Sequence, residues 1–421
     1  MEPLQWAYPE DIPGSRCTPE DGPWPRAFYL LDEAEIWEEF QRLADPSSIL
    51  FNAENGWRAD GVNFQPSPMA STQDRYILRQ LNIHGRLWAL TGVFDGHLGE
   101  ETVAHVAHHL PIIVEEFLQQ YIPENPSEKI TPGFISDLFS RSIVAFDDAI
   151  AGDILELFGG SDRLDRYSDQ EIRDIINDQE KGGDNYQKAR LCMYGTTALV
   201  ALTDPEHENL WIANLGDCQA VLVSPRADTW DVEFLTTEHN TENDAEIERA
   251  STLTDGLLVD LIIVIAGALA PTRGLGDVPF KQPPSFTRRI LYNLAPGFSD
   301  TAPWEICLNR NLTPPYISAK ADITHRPIAQ LTGTPHRPYY LVLASDGFTE
   351  LCRASGPERV LTAWAEREAK RPPHVAAEGN LASRLLRQAI GGEDRAGVSC
   401  MLTLDMDGPW VDDTAIVVQT L

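Results

Sequence analysis

The sequence predicts an α+β fold. Three observations carry the prediction. Short apolar runs of strand length recur along the chain, a few stretches with helical periodicity are mixed among them, and 43% of the 421 residues are hydrophobic, enough for a substantial core. With 23% charged residues, the chain as a whole falls outside the disordered class. It contains no internal repeat and no low-complexity tract.

Taken in order, residues 1 to about 50 are rich in Pro, Trp and acids, and are expected to form an ordered appendage or a partly mobile arm. Leu87 to Phe94 has the character of a buried strand that runs directly into Asp95-Gly96. A helix should follow, with Val103, Val106, Leu110, Val114 and Phe117 near helical spacing, kinked or interrupted at Pro111. Residues 151 to about 190 are polar and acidic and suggest an insertion with some helix. Thr196–Thr203 is a predicted strand. Leu210–Asn214 and Cys218–Val223 are two more, and the tight Leu215-Gly216-Asp217 connection predicts a hairpin between them. Residues 281 to 315 suggest a second long insertion, Tyr340–Ala344 a strand ending in Ser345-Asp346-Gly347, and Ala415–Val418 a terminal strand preceded by Asp412-Asp413.

Charge narrows the function. The chain has 64 acidic and 33 basic residues, a formal net charge of −31. Such a surface repels nucleic acid and anionic membranes. It serves solubility first, and it is compatible with collecting divalent cations. Six cysteines, at 17, 192, 218, 307, 352 and 400, form no Cys-x-x-Cys pair and are expected to be isolated reduced thiols. The N-terminus lacks the apolar core of a signal peptide and the basic character of a mitochondrial presequence. The most apolar run, Leu257–Ala270, contains Asp260 and is too short to span a bilayer. The expectation is a soluble intracellular protein, cytoplasmic or nuclear, with no integral membrane segment.

Three carboxylates share one placement. Val93-Phe94-Asp95-Gly96, Leu343-Ala344-Ser345-Asp346-Gly347 and Val411-Asp412-Asp413-Thr414 each set an Asp at the edge of an apolar strand. A strand end fixes a carboxylate, and an adjacent Gly lets the backbone turn or approach an ion closely. Carboxylates, backbone carbonyls and waters suit Mg²⁺ or Mn²⁺. Two such ions about 4 Å apart activate water and stabilise a phosphoryl transition state. Each Asp-Gly alone is also ordinary turn chemistry.

The order of motifs adds specificity. Gln73-Asp74-Arg75, Asp95-Gly96-His97-Leu98-Gly99, Gly195-Thr196-Thr197-Ala198, Asn214-Leu215-Gly216-Asp217-Cys218, Thr272-Arg273-Gly274-Leu275-Gly276-Asp277, Ala344-Ser345-Asp346-Gly347 and Asp412-Asp413-Thr414 occur in one succession. In this the chain resembles the metal-dependent protein phosphatases of type 2C. Glu238-His239-Asn240-Thr241-Glu242-Asn243, Glu246-Ile247-Glu248-Arg249 and Thr313-Pro314-Pro315-Tyr316-Ile317-Ser318-Ala319 look most like the pyruvate dehydrogenase phosphatase catalytic branch and its fungal relatives. The resemblance implies a four-layer sandwich, two antiparallel β-sheets flanked by α-helices on both sides. It implies an N-terminal appendage over 1–58 and a catalytic domain over 59–421 with insertions near 151–190 and 281–315. It further implies a phosphoserine/phosphothreonine phosphatase with two Mg²⁺ or Mn²⁺ ions and a weaker third. Carried over by motif, Asp95 would bridge both ions, the Gly96 carbonyl would ligate one, Asp346 and Asp412 the other, and Asp217 the third; Asp74 of the first motif joins the metal set. A hydroxide bridging the ions would attack phosphorus, with His97 protonating the leaving oxygen. The implied partner is a phosphorylated protein, with the pyruvate dehydrogenase complex and a mitochondrial location suggested by the branch.

Two departures stand out. Gln73 occupies the place of a family Glu, and Met69 that of an Arg that holds substrate phosphate in many relatives. They motivate an alternative, a catalytically weak or inactive regulatory protein on the same fold. In the last motif, Asp413 is the fallback for Asp412. His105, His108 and His109 lack a His-Glu-x-x-His pattern and are expected to be packed or solvated. Arg273 and Asp277 are expected to hold a turn near the catalytic end, and Trp6, Trp24, Trp37 and Trp57 to be core or docking anchors.

Overall fold

The computed structural model describes residues 4–52, 56–124, 130–227, 229–253, 271–328, 337–372 and 379–421. Two antiparallel sheets dominate. One has six strands in the order β12 (Trp230–Phe234), β11 (Gln219–Pro225), β15 (Tyr340–Ala344), β16 (Thr414–Thr420), β4 (Trp57–Phe64) and β3 (Ser47–Asn52). The other has five, in the order β14 (Asp322–Pro327), β10 (Asn209–Leu215), β9 (Ala198–Thr203), β6 (Arg86–Phe94) and β5 (Arg75–Ile83).

Strand residues explain the layering. Successive side chains point to opposite faces of a sheet. In β15, Leu341 and Leu343 enter the core between the sheets, whereas Tyr340, Val342 and Ala344 enter a second core under helices. In β9, Leu199 and Ala201 face the other sheet, and Ala198, Val200 and Leu202 face helices. Both faces of these strands are therefore buried, which is why they are continuous apolar runs without polar alternation. Between the sheets, Thr91 Oγ donates to Gln419 Oε1 at 3.0 Å and Gln419 Nε2 donates to Thr203 Oγ at 3.2 Å, so the buried amide is satisfied.

Helices complete the outer layers. On the five-stranded side, α2 (Glu101–Tyr121) and α3 (Pro132–Glu156) bury Val103, Val106, Leu110, Ile135, Leu138 and Phe139. On the six-stranded side lie α1 (Glu33–Leu43) and the helices Pro357–Lys370, Leu381–Ala389 and Arg395–Thr403, with Phe40, Trp364, Leu385 and Met401 in that core. This is the α+β sandwich of four layers. The segment before residue 53 packs on the same body: β3 is an edge strand of the larger sheet, and Ile36 and Phe40 of α1 are buried. The stretches near 151–190 and 281–315 contain short helices that bury Leu164, Ile172, Ile176, Phe286 and Leu291 against the α2/α3 core.

Two local expectations are corrected. Strands β10 and β11 form no hairpin. β10 pairs with β9 and β14, β11 with β12 and β15, and Leu215-Gly216-Asp217-Cys218 carries the chain from one sheet to the other. His239 clasps that crossover: its amide donates to the Gly216 carbonyl at 2.9 Å, and its Nδ1 accepts from Gly216 N at 3.2 Å. Helix α2 also runs through Pro111 without interruption, Pro111 being buried in its packed face, and Leu118, not Phe117, supplies the last buried position. Packing on α3 and β5 outweighs the hydrogen bond that proline removes. The run Leu257–Ala270 lies outside the described residues; among those described, no helix is long and apolar enough to cross a membrane.

Candidate active site

The carboxylates meet at one end of the sandwich. Asp95 follows the last residue of β6, and its backbone is clamped by Thr196 and Thr197. Thr197 N donates to the Asp95 carbonyl at 2.9 Å, Thr196 Oγ donates to the same oxygen at 3.0 Å, and Asp95 N donates to Thr197 Oγ at 3.0 Å. A small sheet then forms from β7 (Gly96–His97), β8 (Gly195–Thr196) and β13 (Leu275–Gly276). Gly96 has no alternative there, because a Cβ would lie 2.5 Å from the Gln73 carbonyl oxygen and 2.7 Å from Val103.

Asp346 opens the helix Asp346–Leu351 where β15 ends. Beside it, Gly347 lies so close to the Asp413 carbonyl that a Cβ would stand 2.1 Å from it. The same close approach brings β16 and its leading carboxylates to Asp346. Behind them Asp74 is fully buried and accepts from Ala415 N at 3.0 Å, and Ser345 Oγ accepts from the same amide at 2.9 Å.

Asp95, Gly96, His97, Asp217, Asp346 and Asp412 all line one pocket of about 270 Å³, with Arg16, Gln73, Leu98, Thr197, Pro271 and Asp413. Asp74 is not on the pocket wall but one layer deeper. A larger cavity of about 820 Å³ lies along α3 and Val278–Lys281, away from these carboxylates. Asp412 and Asp413 differ in what holds them. Asp413 accepts from Gln65 Nε2 and from Gln73 N, both at 2.7 Å, so both its oxygens are occupied by protein donors. Asp412 has one oxygen on the neighbouring Asp413 amide and the other on the Arg16 guanidinium.

Electrostatics sets the group apart. Burial, then repulsion from Asp346, pushes the Asp217 carboxyl up to about 7. The same two causes push Asp412 up to about 8, with Arg16 opposing. Burial raises Asp95 well above the usual carboxylate range, reinforced by Asp74, Asp346, Asp217 and Asp412. Asp74 moves the same way, and Asp346 is raised by burial and by Glu350. Carboxylates gathered like this need cations to coexist ionised.

The residues fit hard divalent ions. Every side-chain donor facing the pocket from the predicted set is a carboxylate oxygen, and the buried Asp217 Oδ1 and Gln73 Oε1 have no hydrogen-bond partner. Among the described residues no three His, Cys, Asp or Glu side chains are already drawn around a single point. The pocket is lined by carboxylates, the donor type that suits ions retaining several waters.

The roles of three residues escaped the sequence reading. Asp277 is more than a turn former: its Oδ1 lies 2.7 Å from His97 Nε2 and holds the imidazole ring in place. Asp147 fixes the end of β13, next to Asp277, by accepting from Gly276 N at 2.8 Å and pairing with Lys281 at 2.7 Å. Arg16 enters from the N-terminal segment and contacts both Asp412 and Glu350. Arg273 behaves as expected of a structural residue, bonded to Glu246, Asp322 and the Lys320 carbonyl. Burial alone would raise Glu246, but hydrogen bonds from Arg273, Arg249 and Thr272 take it down to about 2. His105 stacks on Phe146, and burial, with His109 nearby, lowers it to about 4. Met69 is exposed and off the pocket wall.

Comparison with known proteins identifies the family of the chain. The family profile described as Protein phosphatase 2C matches residues 159–390, more than half of the chain. A protein phosphatase 2C homolog of Schizosaccharomyces pombe is 24% identical over 388 residues, 87% of this chain and 79% of that protein. The mitochondrial [Pyruvate dehydrogenase [acetyl-transferring]]-phosphatase 1 of Bos taurus is 26% identical over 273 residues, 56% of this chain; the match spans about half, 49%, of that relative's length. Among solved structures, a C. elegans sex determining protein aligns at TM-score 0.49 with 16% identity, over 88% of this chain and 68% of that one. The chain belongs to the protein phosphatase 2C family.

Proposed function

We propose that this chain hydrolyses phosphoserine and phosphothreonine in proteins, in a reaction that requires Mg²⁺ or Mn²⁺. The observation that carries the reading is the convergence of Asp95, Asp217, Asp346 and Asp412, from four separate strand ends, on one pocket. Asp95, the Gly96 carbonyl, Asp346 and Asp412 would hold two ions, and Asp217 would serve a weaker third; Asp74, behind the wall, would support them. Bound divalent ions supply positive charge for the phosphoryl group and activate water. His97 lines the pocket with its ring held by Asp277, and it would serve as the acid that protonates the departing Ser or Thr oxygen. Asp412 is favoured over Asp413 because one of its two donors is the half-exposed Arg16 side chain, which can yield that oxygen to an ion, whereas Asp413 is held by Gln65 Nε2 and the Gln73 amide, both at 2.7 Å.

The test is hydrolysis of a phosphoserine peptide by the full chain with Mn²⁺. Turnover should appear with the metal, vanish in EDTA, and drop by about a hundredfold or more in Asp346→Asn. Turnover that survives EDTA would sink the reading. One observation favours a second possibility, a weak or inactive regulatory member: Gln73 puts a neutral amide on the pocket wall where the family pattern has a carboxylate. Tight divalent binding by calorimetry without turnover would select it. The named relatives make a phosphorylated pyruvate dehydrogenase component the first protein substrate to try, and a mitochondrial location the first to check.

A further inference from the structure

Among the described residues, the pocket holds five aspartates, Asp95, Asp217, Asp346, Asp412 and Asp413, and a single permanently charged cation, Arg16. We infer that Arg16 is the residue that binds the phosphate group of the substrate, an inference that rests on the phosphatase reading above. A phosphate dianion approaching these carboxylates needs fixed positive charge beyond any ions that the carboxylates neutralise. A guanidinium suits that role, because its fork of N–H donors matches phosphate oxygens.

Placement of Arg16 is built and not incidental. Its backbone N donates to the Trp410 carbonyl at 2.9 Å, two residues before Asp412. Ser15 N donates to the Ile12 carbonyl at 3.2 Å, and Ile12 is buried in the outer core, which stitches the segment down. Glu350 accepts from Arg16 Nε at 3.0 Å, and Asp412 accepts from Nη2. These two contacts fix the plane of the guanidinium, and among the described residues its Nη1 donates to no protein group. The side chain is half exposed, so it faces the entrance with donor capacity left over. Glu350 holds it from outside the predicted metal set, so the Arg16 anchor persists when Asp412 turns to an ion.

The experiment uses the full chain loaded with Mn²⁺, comparing wild type, Arg16→Ala and Arg16→Lys. Calorimetry measures Mn²⁺ binding and then the binding of inorganic phosphate; steady-state kinetics on a phosphoserine peptide gives KM and kcat separately. Expected for Arg16→Ala is phosphate binding weakened about tenfold or more and KM raised to match, with Mn²⁺ binding retained and kcat changed much less. Arg16→Lys should recover part of the phosphate affinity but not all, because an ammonium cannot bind in the bidentate way. Unchanged phosphate affinity in Arg16→Ala overturns the inference, as does a loss that merely follows lost Mn²⁺ binding or lost folding by thermal melt. A wild type that binds phosphate through Arg16 but never turns over would overturn the catalytic reading and leave this one standing. Turnover indifferent to Arg16 would do the reverse.

Discussion

Asp277 shows what one residue can do once the fold has placed it. Its backbone sits in the left-handed region, φ 51°, directly after β13, and its carboxylate faces His97, 180 positions earlier in the chain. The contact orients the imidazole. Protonating the leaving group matters for a serine alkoxide and much less for an aryl oxide, which leaves unaided. Asp277→Asn should therefore lower kcat on a phosphoserine peptide by roughly 10- to 100-fold, within the range of general acid catalysis, while aryl phosphate hydrolysis falls far less. Equal losses on both substrates would assign Asp277 a purely structural role. Legibility at this scale followed distance in sequence. Asp95, Asp346 and Asp412 could be picked out because each carries its own signal, an apolar strand beside an Asp. Asp277 and Arg16 could not: the groups they touch lie 180 and 396 residues away, and nothing local in either segment marks the encounter.

At the scale of elements, the site depends on how closely β16 can approach the end of β15. Gly347 is the point of contact, with the Asp413 carbonyl where any Cβ would be. Gly347→Ala must push the two apart. The expected cost is about 1–3 kcal/mol of stability, as for other overpacked sites. Displacing Asp412 from Asp346 should weaken Mn²⁺ binding along with it. Urea unfolding and metal calorimetry on the same sample check both, and a variant that melts early yet binds Mn²⁺ normally would show that the approach serves stability alone. The strands themselves were legible, since Leu87–Phe94 is a largely apolar run and Tyr340–Ala344 an unbroken one, with side chains buried on both faces. The partner of each strand was not. Leu215-Gly216-Asp217 has the composition of a hairpin turn, and a change of sheet at that point is decided by His239 and by strands from elsewhere. Pro111 makes the same point for helices, because packing against α3 overrides a local preference.

Across the whole molecule, the carboxylate cluster links stability to pH and to metal. Asp217, which is buried, and Asp412, which is partly buried, are pushed up to about 7 and about 8 in the folded protein, against a usual 3.8. The sign follows from proton binding. Between roughly pH 4 and pH 8 the folded state holds protons on these groups that the unfolded chain has already released, so unfolding becomes more favourable as pH rises through that window. Asp95 and Asp346 are raised as well and add in the same direction. Divalent ions that bind only the folded chain reverse this, since they replace those protons and stabilise by mass action. In EDTA, Tm should therefore fall as the buffer is taken from pH 5.5 to pH 8. With millimolar Mn²⁺ the fall should flatten, so that the gap between the two melting curves widens with pH. Asp412→Asn removes one of the groups responsible and should shrink both the fall in EDTA and the rise with metal. Differential scanning fluorimetry across that pH series is sufficient. A Tm in EDTA that climbs with pH would mean that the cluster is already compensated by protein cations, with Arg16 as the first suspect because it is the one that reaches Asp412.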